Sequence, residues 1–271
     1  LRSPAEFPAA DFIIIESTYG DKLHDLIHTT PDDLLKHIEE TCVGRKGNLI
    51  IPAFSVGRTQ EILYELNQLS IEKRLPHIPV YVDSPLSIEA TEVLKAYPKY
   101  FNKKIQKLLE IDEDPFDFEG LRYIKSVEES KALNEDLHPK VIISASGMAD
   151  AGRVKHHIKN NIDNPKNTIL LVGYCEPHSL GGRLMAGQKE VKIYSEMYEV
   201  RCHVASIRSM SAHGDYEDLM QFLACQAPHL VKQIYVVHGE ADVQDKFAER
   251  LMKKGFKEVI VPQMHEEFVM Q

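Results

Sequence analysis

The chain has 271 residues, 43% hydrophobic and 27% charged, the balance of a globular protein with room for one large domain or two of ordinary size. Asp and Glu number 41 against 32 Lys and Arg, a formal charge of −9. Nonspecific nucleic-acid affinity comes largely from phosphate neutralisation, so this charge excludes a general polyanion-binding surface and leaves only a local cleft for any such contact.

No apolar run approaches the roughly 18 residues of a membrane span, and no signal peptide precedes the first elements. Cys42, Cys175, Cys202 and Cys225 show no C-x-x-C pairing, so they read as reduced core thiols of a cytoplasmic protein rather than a disulfide framework or a zinc finger. The chain starts at Leu1 and reaches a strand by Phe12. It is therefore expected to be a piece of a longer protein.

Phe12 to Ile15 is a short apolar strand running into Glu16-Ser17-Thr18-Tyr19-Gly20. A carboxylate between a buried strand and a glycine turn sits where active-site residues often sit, although Glu16 is equally suited to an ion pair or a turn cap. Thr30-Pro31-Asp32-Asp33 starts a helix, with a hydroxyl cap, proline in the first turn and acids for the dipole; Gly44 and Gly47 end it. Asn48 to Pro52 is a buried strand. Ala53-Phe54-Ser55-Val56-Gly57-Arg58-Thr59-Gln60-Glu61 then opens a helix whose small-residue turn, including Ser55, can hold an anion. The G-x-x-x-x-G-K-[ST] pattern of a nucleotide loop is absent.

The unit recurs. Val80-Tyr81-Val82 leads through Asp83-Ser84-Pro85 into a helix, and Val141-Ile142-Ile143 leads into Ser144-Ala145-Ser146-Gly147, then Gly152-Arg153-Val154 and another helix. This alternation predicts an α/β fold, a parallel sheet covered on both faces, with ligands at the strand carboxyl ends. Arg58 and Arg153 follow hydroxyl-bearing turns and are candidates for phosphate contact; a surface salt bridge is the alternative for each. Lys99 to Asp117 reads as a charged helix with a solvated face.

Ile169 to Val172 is a further strand, followed by a third glycine–arginine turn at Gly181-Gly182-Arg183. Val191 to Tyr194, Glu199 to Cys202 and His203 to Ile207 are short, closely spaced β runs, which predict a second, mostly antiparallel sheet. Ser209-Met210-Ser211-Ala212-His213-Gly214-Asp215 is a polar turn before a helix. It sets His213 between small residues, with Asp215 as a helix cap. That is a way to present an imidazole to a substrate, and equally a capped turn with a solvated histidine. Gln233 to Val237 is a buried strand ending in His238-Gly239-Glu240, where His238 is a candidate metal ligand. A helix from Ala241 to Lys254 and a strand from Glu258 to Val261 close the chain.

In order, Glu16-Ser17-Thr18-Tyr19-Gly20, Gly57-Arg58-Thr59-Gln60-Glu61, Ser146-Gly147-Met148 with Gly152-Arg153-Val154, Ser211-Ala212-His213 and Val237-His238-Gly239-Glu240 resemble the metallo-β-lactamase-fold nucleases that carry a β-CASP insertion. Ribonuclease J and the endonuclease that cuts messenger-RNA precursors at their 3′ ends are of this type. The resemblance implies a β-CASP domain with a Rossmann-like parallel sheet flanked by helices over residues 21–209. Residues 1–20 and 210–271 would then belong to a metallo-β-lactamase domain, the latter its carboxyl-terminal part in the αββα fold.

It also implies roles. Glu16 matches an acid that partners the histidine at His213, and that histidine protonates the leaving oxygen of a phosphodiester. His238 matches a zinc ligand of RNA-acting members, one that DNA-acting relatives typically lack. Two zinc ions would activate a water and clamp the phosphoryl oxygens, while Ser211, Ser146, Gly147, Ser55, Arg58 and Arg153 would contact RNA phosphates. RNA is the expected partner; related proteins often form a homodimer, and the sequence leaves the oligomeric state open.

The sequence also departs from the family. The H-x-H-x-D-H motif that supplies most metal ligands is absent from these 271 residues, and Cys175-Glu176-Pro177-His178-Ser179 replaces a small, glycine-containing loop. The expectation is a zinc-dependent ribonuclease in the intact protein, with this portion binding zinc weakly and inactive alone. A non-catalytic RNA-binding scaffold and a DNA nuclease of the same architecture are the alternatives. Strands left without partners, at residues 12–15, 199–207 and 233–237, are expected to pair with one another, rearrange or pack on a second copy.

Overall fold

The computed structural model describes residues 5–24 and 30–270; Leu1, on which the expectation of a longer parent partly rests, lies outside them. In chain order, strand β1 (Phe12–Glu16) precedes helix α1 (Thr30–Ile38), which continues as a wider π turn, Glu39–Gly44. Then come β2 (Leu49–Pro52), α2 (Arg58–Ile71), β3 (Val80–Val82), α3 (Pro85–Lys95), the short α4 (Lys103–Leu108), β4 (Leu121–Tyr123) and α5 (Val127–Glu135). They are followed by β5 (Val141–Ser144), α6 (Arg153–Asn161), β6 (Thr168–Val172), α7 (Leu180–Met185), β7 (Glu190–Ile193), β8 (Glu196–Glu199) and β9 (His203–Ile207). The last elements are α8 (Tyr216–Phe222), β10 (Gln233–Val237), α9 (Ala241–Lys254) and β11 (Val259–Ile260).

The chain divides into two compact units, one containing residues 30–210 and the other residues 5–24 with 211–270. In the first, six strands form one parallel sheet in the order β4-β3-β5-β2-β6-β9. Its central strands are buried at every position and apolar at nearly all of them because both faces are covered. Leu49, Ile51, Val141, Ile143 and Leu170 pack with Leu34, Ile62 and Leu66 of α1 and α2. The alternate residues Ile50, Ile142, Ile169 and Leu171 pack with Val154, Ile158 and Leu180 of α6 and α7. Burying one such side chain is worth about 1.5–3 kcal/mol, so the two-period alternation sets the register of the sheet.

The expected second antiparallel sheet is corrected. Only β7 and β8 form an antiparallel hairpin, Glu190 opposite Glu199, with Tyr194 at φ 56° in its turn. β9 instead pairs in parallel with β6, Thr168 opposite His203 through Val172 opposite Ile207. As an edge strand it is only partly covered, so its sequence lacks the continuous apolar run of its neighbours. The helix expected over Lys99 to Asp117 is also corrected: only Lys103–Leu108 is α-helical. The carboxylates of Asp112, Asp114 and Asp117 accept the amides of Asp114, Phe116 and Phe118, and these local turns displace the helix. Gly181-Gly182-Arg183 lies within α7, not in a turn, since the Ser179 hydroxyl caps that helix on the Gly182 amide at 3.0 Å.

The carboxyl ends of the sheet are braced by two buried polar groups. The Gln60 carboxamide accepts the Gly57 amide at 2.7 Å and donates to the Ser55 carbonyl, the Ser87 carbonyl and the Thr91 hydroxyl. It thereby fixes the turn before α2 against α3. Asp83, buried after β3, accepts Arg153 Nη1 and His157 Nε2, both at 2.6 Å, and the Ser130 hydroxyl. His157 Nδ1 is held in turn at 3.0 Å from Asn134 Oδ1.

In the second unit, β1, β10 and β11 form a parallel sheet, with Phe12 opposite Gln233 through Glu16 opposite Val237. One face, bearing Ile13, Ile15, Ile234 and Val236, packs with Leu219, Phe247 and Leu251 of α8 and α9. On the other face Ile14 is 65% exposed, while Tyr235 is covered by Phe268 at 5.0 Å between ring centroids. β1 and β10 thus pair with each other, and β9 with β6.

Burial raises the Asp83 pKa, but the His157, Ser130 and Arg153 hydrogen bonds outweigh it and hold the carboxyl below its ordinary value. Its contribution to stability is therefore complete above the unfolded value of about 3.9 and is lost as pH falls through the lower folded value. Asp83→Asn is expected to lower stability at pH 7 by roughly 3–5 kcal/mol, the range for breaking a buried pair, and to flatten the acid limb of the profile. Urea midpoints measured across the acid range in both proteins check this.

Candidate active site

Two adjacent parallel strands place the first two residues. β1 and β10 end in register, Glu16 opposite Val237, so the carboxylate that closes β1 lies beside His238, the residue after β10. The third, His213, comes from the loop before α8. Asp215 ties that loop down. It forms an isolated bridge with Tyr19, caps α8 on the Glu217 and Asp218 amides, and accepts the His24 amide at 3.0 Å. Burial pushes the Asp215 carboxyl up, yet those three amides hold it below its usual value.

His24 adds a second tie. Its Nε2–H donates to the His213 carbonyl at 2.7 Å, and its ring meets Tyr19 edge-on at 4.6 Å. The Ser211 hydroxyl accepts the His213 amide at 3.2 Å. The backbone of the histidine is thus fixed on both sides of its ring.

His213 Nδ1 lies 2.9 Å from Glu16 Oε2, with the two side chains 31% and 27% exposed. The carboxylate is itself aimed, since Oε1 accepts the Gly214 amide at 3.1 Å and Oε2 the Thr18 amide at 3.2 Å. A carboxylate only accepts, so Nδ1 carries the proton of this contact. This carboxylate–imidazole geometry orients a general acid or base.

His238 has φ 52°, a left-handed conformation uncommon outside glycine. Its carbonyl is held there by the Ser17 amide at 3.3 Å and the Thr18 hydroxyl at 3.1 Å. The same Thr18 oxygen lies 3.0 Å from His238 Nδ1. A hydroxyl has one proton. With it donated to the carbonyl, the oxygen accepts from Nδ1–H and the ring's lone pair lies on Nε2, the tautomer a metal ligand with a supporting hydrogen bond adopts. Gly239 keeps the turn tight, as a Cβ there would stand 2.7 Å from Ser17 Oγ.

Ligand atoms of Glu16, His213 and His238 lie within 4.8 Å of one another, and the two imidazole centroids are 4.9 Å apart. Glu16 and His213 already engage each other, and His238 offers a ring lone pair suited to an ion. Zinc takes three or four protein ligands, and this cluster fits it as a contributor of one. His24, Asp215 and Asp218 form a second close group, but each is engaged in bracing the loop and capping α8.

The remaining residues expected at a site lie in the unit of residues 30–210. Ser55 Oγ is 3.3 Å from Ser84 Oγ at the ends of β2 and β3. Ser146 Oγ donates to the Ala151 carbonyl at 3.4 Å, and Gly147 is buried. Arg58 pairs with Glu61 and its side chain is 10% exposed. Arg153 donates to Asp83 and to the carbonyls of Ile124 and Lys125, so its guanidinium braces the fold. Thr18 and His24 were given no role from sequence. Their contacts depend on which strand lies beside β1, and no local pattern reports that.

Residues 59–184 match the family model described as the Beta-Casp domain, and residues 197–262 match the Zn-dependent metallo-hydrolase RNA specificity domain. The chain belongs to the β-CASP family. A Thermus thermophilus relative named as a ribonuclease is 34% identical over 245 residues, 89% of this chain and 54% of the relative. An RNase J-like protein of Methanocaldococcus jannaschii is 35% identical over 255 residues, 93% of this chain and 58% of the relative. A transcription termination factor FttA of Methanococcus maripaludis is 31% identical over 265 residues, 95% of this chain and 41% of the relative. This β-CASP chain thus spans about half the length of these relatives. None of its four cysteines forms a disulfide, and among the described residues no helix is long and apolar enough to cross a membrane.

Thr18→Val removes the hydroxyl that holds both the carbonyl and the ring of His238. Nitrogen-detected NMR is expected to show the His238 ring in the Nδ1–H tautomer in the parent and in a mixture of tautomers in the variant. Stability is expected to fall by about 1–3 kcal/mol, measured by denaturant unfolding.

Proposed function

We propose that this chain is part of a metal-dependent ribonuclease, a hydrolase of phosphodiester bonds acting in RNA processing or decay. In this reading residues 21–209 are the RNA-clamping β-CASP domain, and residues 1–20 and 210–271 contribute to the nuclease domain. The observation that carries it is the triad of Glu16, His213 and His238: an aimed carboxylate–imidazole pair beside an imidazole whose lone pair is directed away from its supporting threonine. The printed names of the ribonuclease and RNase J-like relatives support RNA as substrate, and the matched domain's description supports zinc.

His213 acts as the general acid. Glu16 Oε2 holds Nδ1–H, so a proton carried on Nε2 points to the substrate, and the carboxylate stabilises the imidazolium until that proton passes to the leaving oxygen. Ser211 holds the backbone of this histidine, and its hydroxyl is a further donor to phosphate. Ser55 and Ser146, with the Gly147 amide, are donors to further phosphates. Arg58 and Arg153 reach phosphate only by exchanging their present partners, and they rank below the hydroxyls. His238 would hold a zinc ion through Nε2. Zinc, when bound, supplies an activated water and neutralises charge on the phosphoryl group.

One imidazole makes a weak zinc site. The 271-residue chain, which lacks H-x-H-x-D-H, is expected not to cleave RNA alone at any zinc concentration that leaves it folded, as read on denaturing gels with end-labelled single strands. In the intact protein His213→Ala is expected to lower kcat about 10²–10⁴-fold with KM little changed. Matched RNA and DNA strands test the substrate class, and exclusive cleavage of DNA would overturn RNA. Robust metal-dependent cleavage by the 271-residue chain would overturn the assignment of the missing ligands.

A further inference from the structure

The exposed ring of Phe54 stands apart from the other aromatic side chains of its unit. Phe54 follows β2 and is 45% exposed. The exposed rings of Tyr100 and Tyr194 each carry a lysine ammonium at about 5 Å, from Lys99 and Lys155, and Tyr97 leans on Tyr100. Among the described residues no ring or cation meets Phe54. An aromatic face open to water at the carboxyl end of a parallel sheet costs hydration free energy and adds nothing to the core.

The ring is nevertheless held in place. The Phe54 carbonyl accepts the Thr59 amide at 3.2 Å and the Thr59 hydroxyl at 2.8 Å, and Ala53 donates its amide to Ser144 at 3.0 Å. One side of the ring rests on Gly147, where a Cβ would stand 2.7 Å from Cδ2 and 2.8 Å from Cε2. Gly147 has no left-handed φ to demand glycine; the Phe54 side chain alone fills the space its Cβ would take. Two segments, one after β2 and one after β5, are therefore built around a ring that neither buries.

We infer that Phe54 is a stacking platform for a base of single-stranded RNA. This deepens the ribonuclease reading and rests on it. Every base has a π-face, and an unpaired base stacked on an aromatic ring is the usual way a protein holds single-stranded RNA. Hydroxyls suited to the backbone lie on the same two segments, Ser55 next to the ring in sequence and Ser146 next to its glycine seat. The chain's charge of −9 disfavours a grip made of phosphate neutralisation, and stacking does not need one.

The test uses the full 271-residue chain without added metal, so that binding is read apart from cleavage, and single-stranded RNA carrying 2-aminopurine at successive positions. For the parent, the platform predicts quenching at one position and binding with a shallow salt dependence. Phe54→Trp is expected to keep both. Phe54→Ala and Phe54→Leu are expected to lose the quenching and weaken binding about tenfold, that is about 1.4 kcal/mol. Gly147→Ala, which pushes the ring off its seat, is expected to fall between them, with circular dichroism confirming the fold in each case. An abasic nucleotide at the quenched position is expected to abolish the difference between parent and Phe54→Ala. Equal binding by parent and Phe54→Ala would overturn the platform and leave the ribonuclease reading intact, as would a difference that persists on abasic RNA. Failure of the parent to bind any single-stranded RNA would overturn the RNA reading itself, and the platform with it.

Discussion

The in-register parallel pairing of β1 with β10 is the constraint on which the candidate site depends. It sets Glu16 opposite Val237, so that the residue ending one strand and the residue following the other meet at the same edge. A slip of one residue would turn Ile13, Ile15, Ile234 and Val236 out of their core and point Glu16 to the opposite face. The packing that stabilises the small sheet and the geometry that aims the carboxylate are thus one requirement. At the edge itself, the carbonyl of His238 is gripped by Ser17 and Thr18, so a left-handed histidine is held by the strand it adjoins.

The larger sheet follows the same logic with different residues. Its central strands are mostly apolar because helices cover both faces, so polar side chains cluster at and just beyond the strand ends. There Asp83, Ser84, Ser144, Ser55 and Gln60 are drawn into hydrogen bonds. Some of these groups are structural: Gln60 and Asp83 are buried and satisfied, and removing either would strand its partners. Others, such as Ser55 and Ser146, are partly exposed and lightly held. That difference separates the residues that build the end of the sheet from those free to meet a ligand.

Much of this was legible in the sequence. Apolar runs such as Leu49-Ile50-Ile51 and Val141-Ile142-Ile143, bounded by small polar turns, identify buried parallel strands because nothing else in a globular chain needs apolar residues on both faces. The loop of His213 was legible through its small neighbours and the Asp215 cap, and its partner Glu16 through the family resemblance. Where the reading failed, long-range pairing decided the outcome. β9 alternates like an antiparallel strand because its exposure follows from being last in the sheet, and its neighbour β6 is separated from it by a helix and a hairpin. The Asp112 to Asp117 stretch has helical composition, but each carboxylate finds a nearer amide. For Arg153 the sequence left phosphate contact and a salt bridge open, and the buried Asp83 that it pairs with lies 70 residues away in sequence.

The charges of the chain and the chemistry proposed for it are reconciled by where the cations go. Arg58 and Arg153, the two arginines best placed by sequence, both engage carboxylates, and lysines lie over Tyr64, Tyr100, Tyr194 and Tyr198. A net charge of −9 disfavours holding RNA by bulk electrostatics. On the proposed reading, the contacts of residues 30–210 with RNA are hydroxyl and amide donors at strand ends and an exposed ring seated on glycine. Those contacts act at short range and only on a strand already in register, which suits discrimination of a single-stranded substrate more than capture of any polyanion. The same reasoning is why the proposed reading gives the chemistry to the imidazoles rather than to the guanidiniums. His213 and His238 are positioned by backbone and by Thr18, and each keeps one ring nitrogen directed away from the group that holds it.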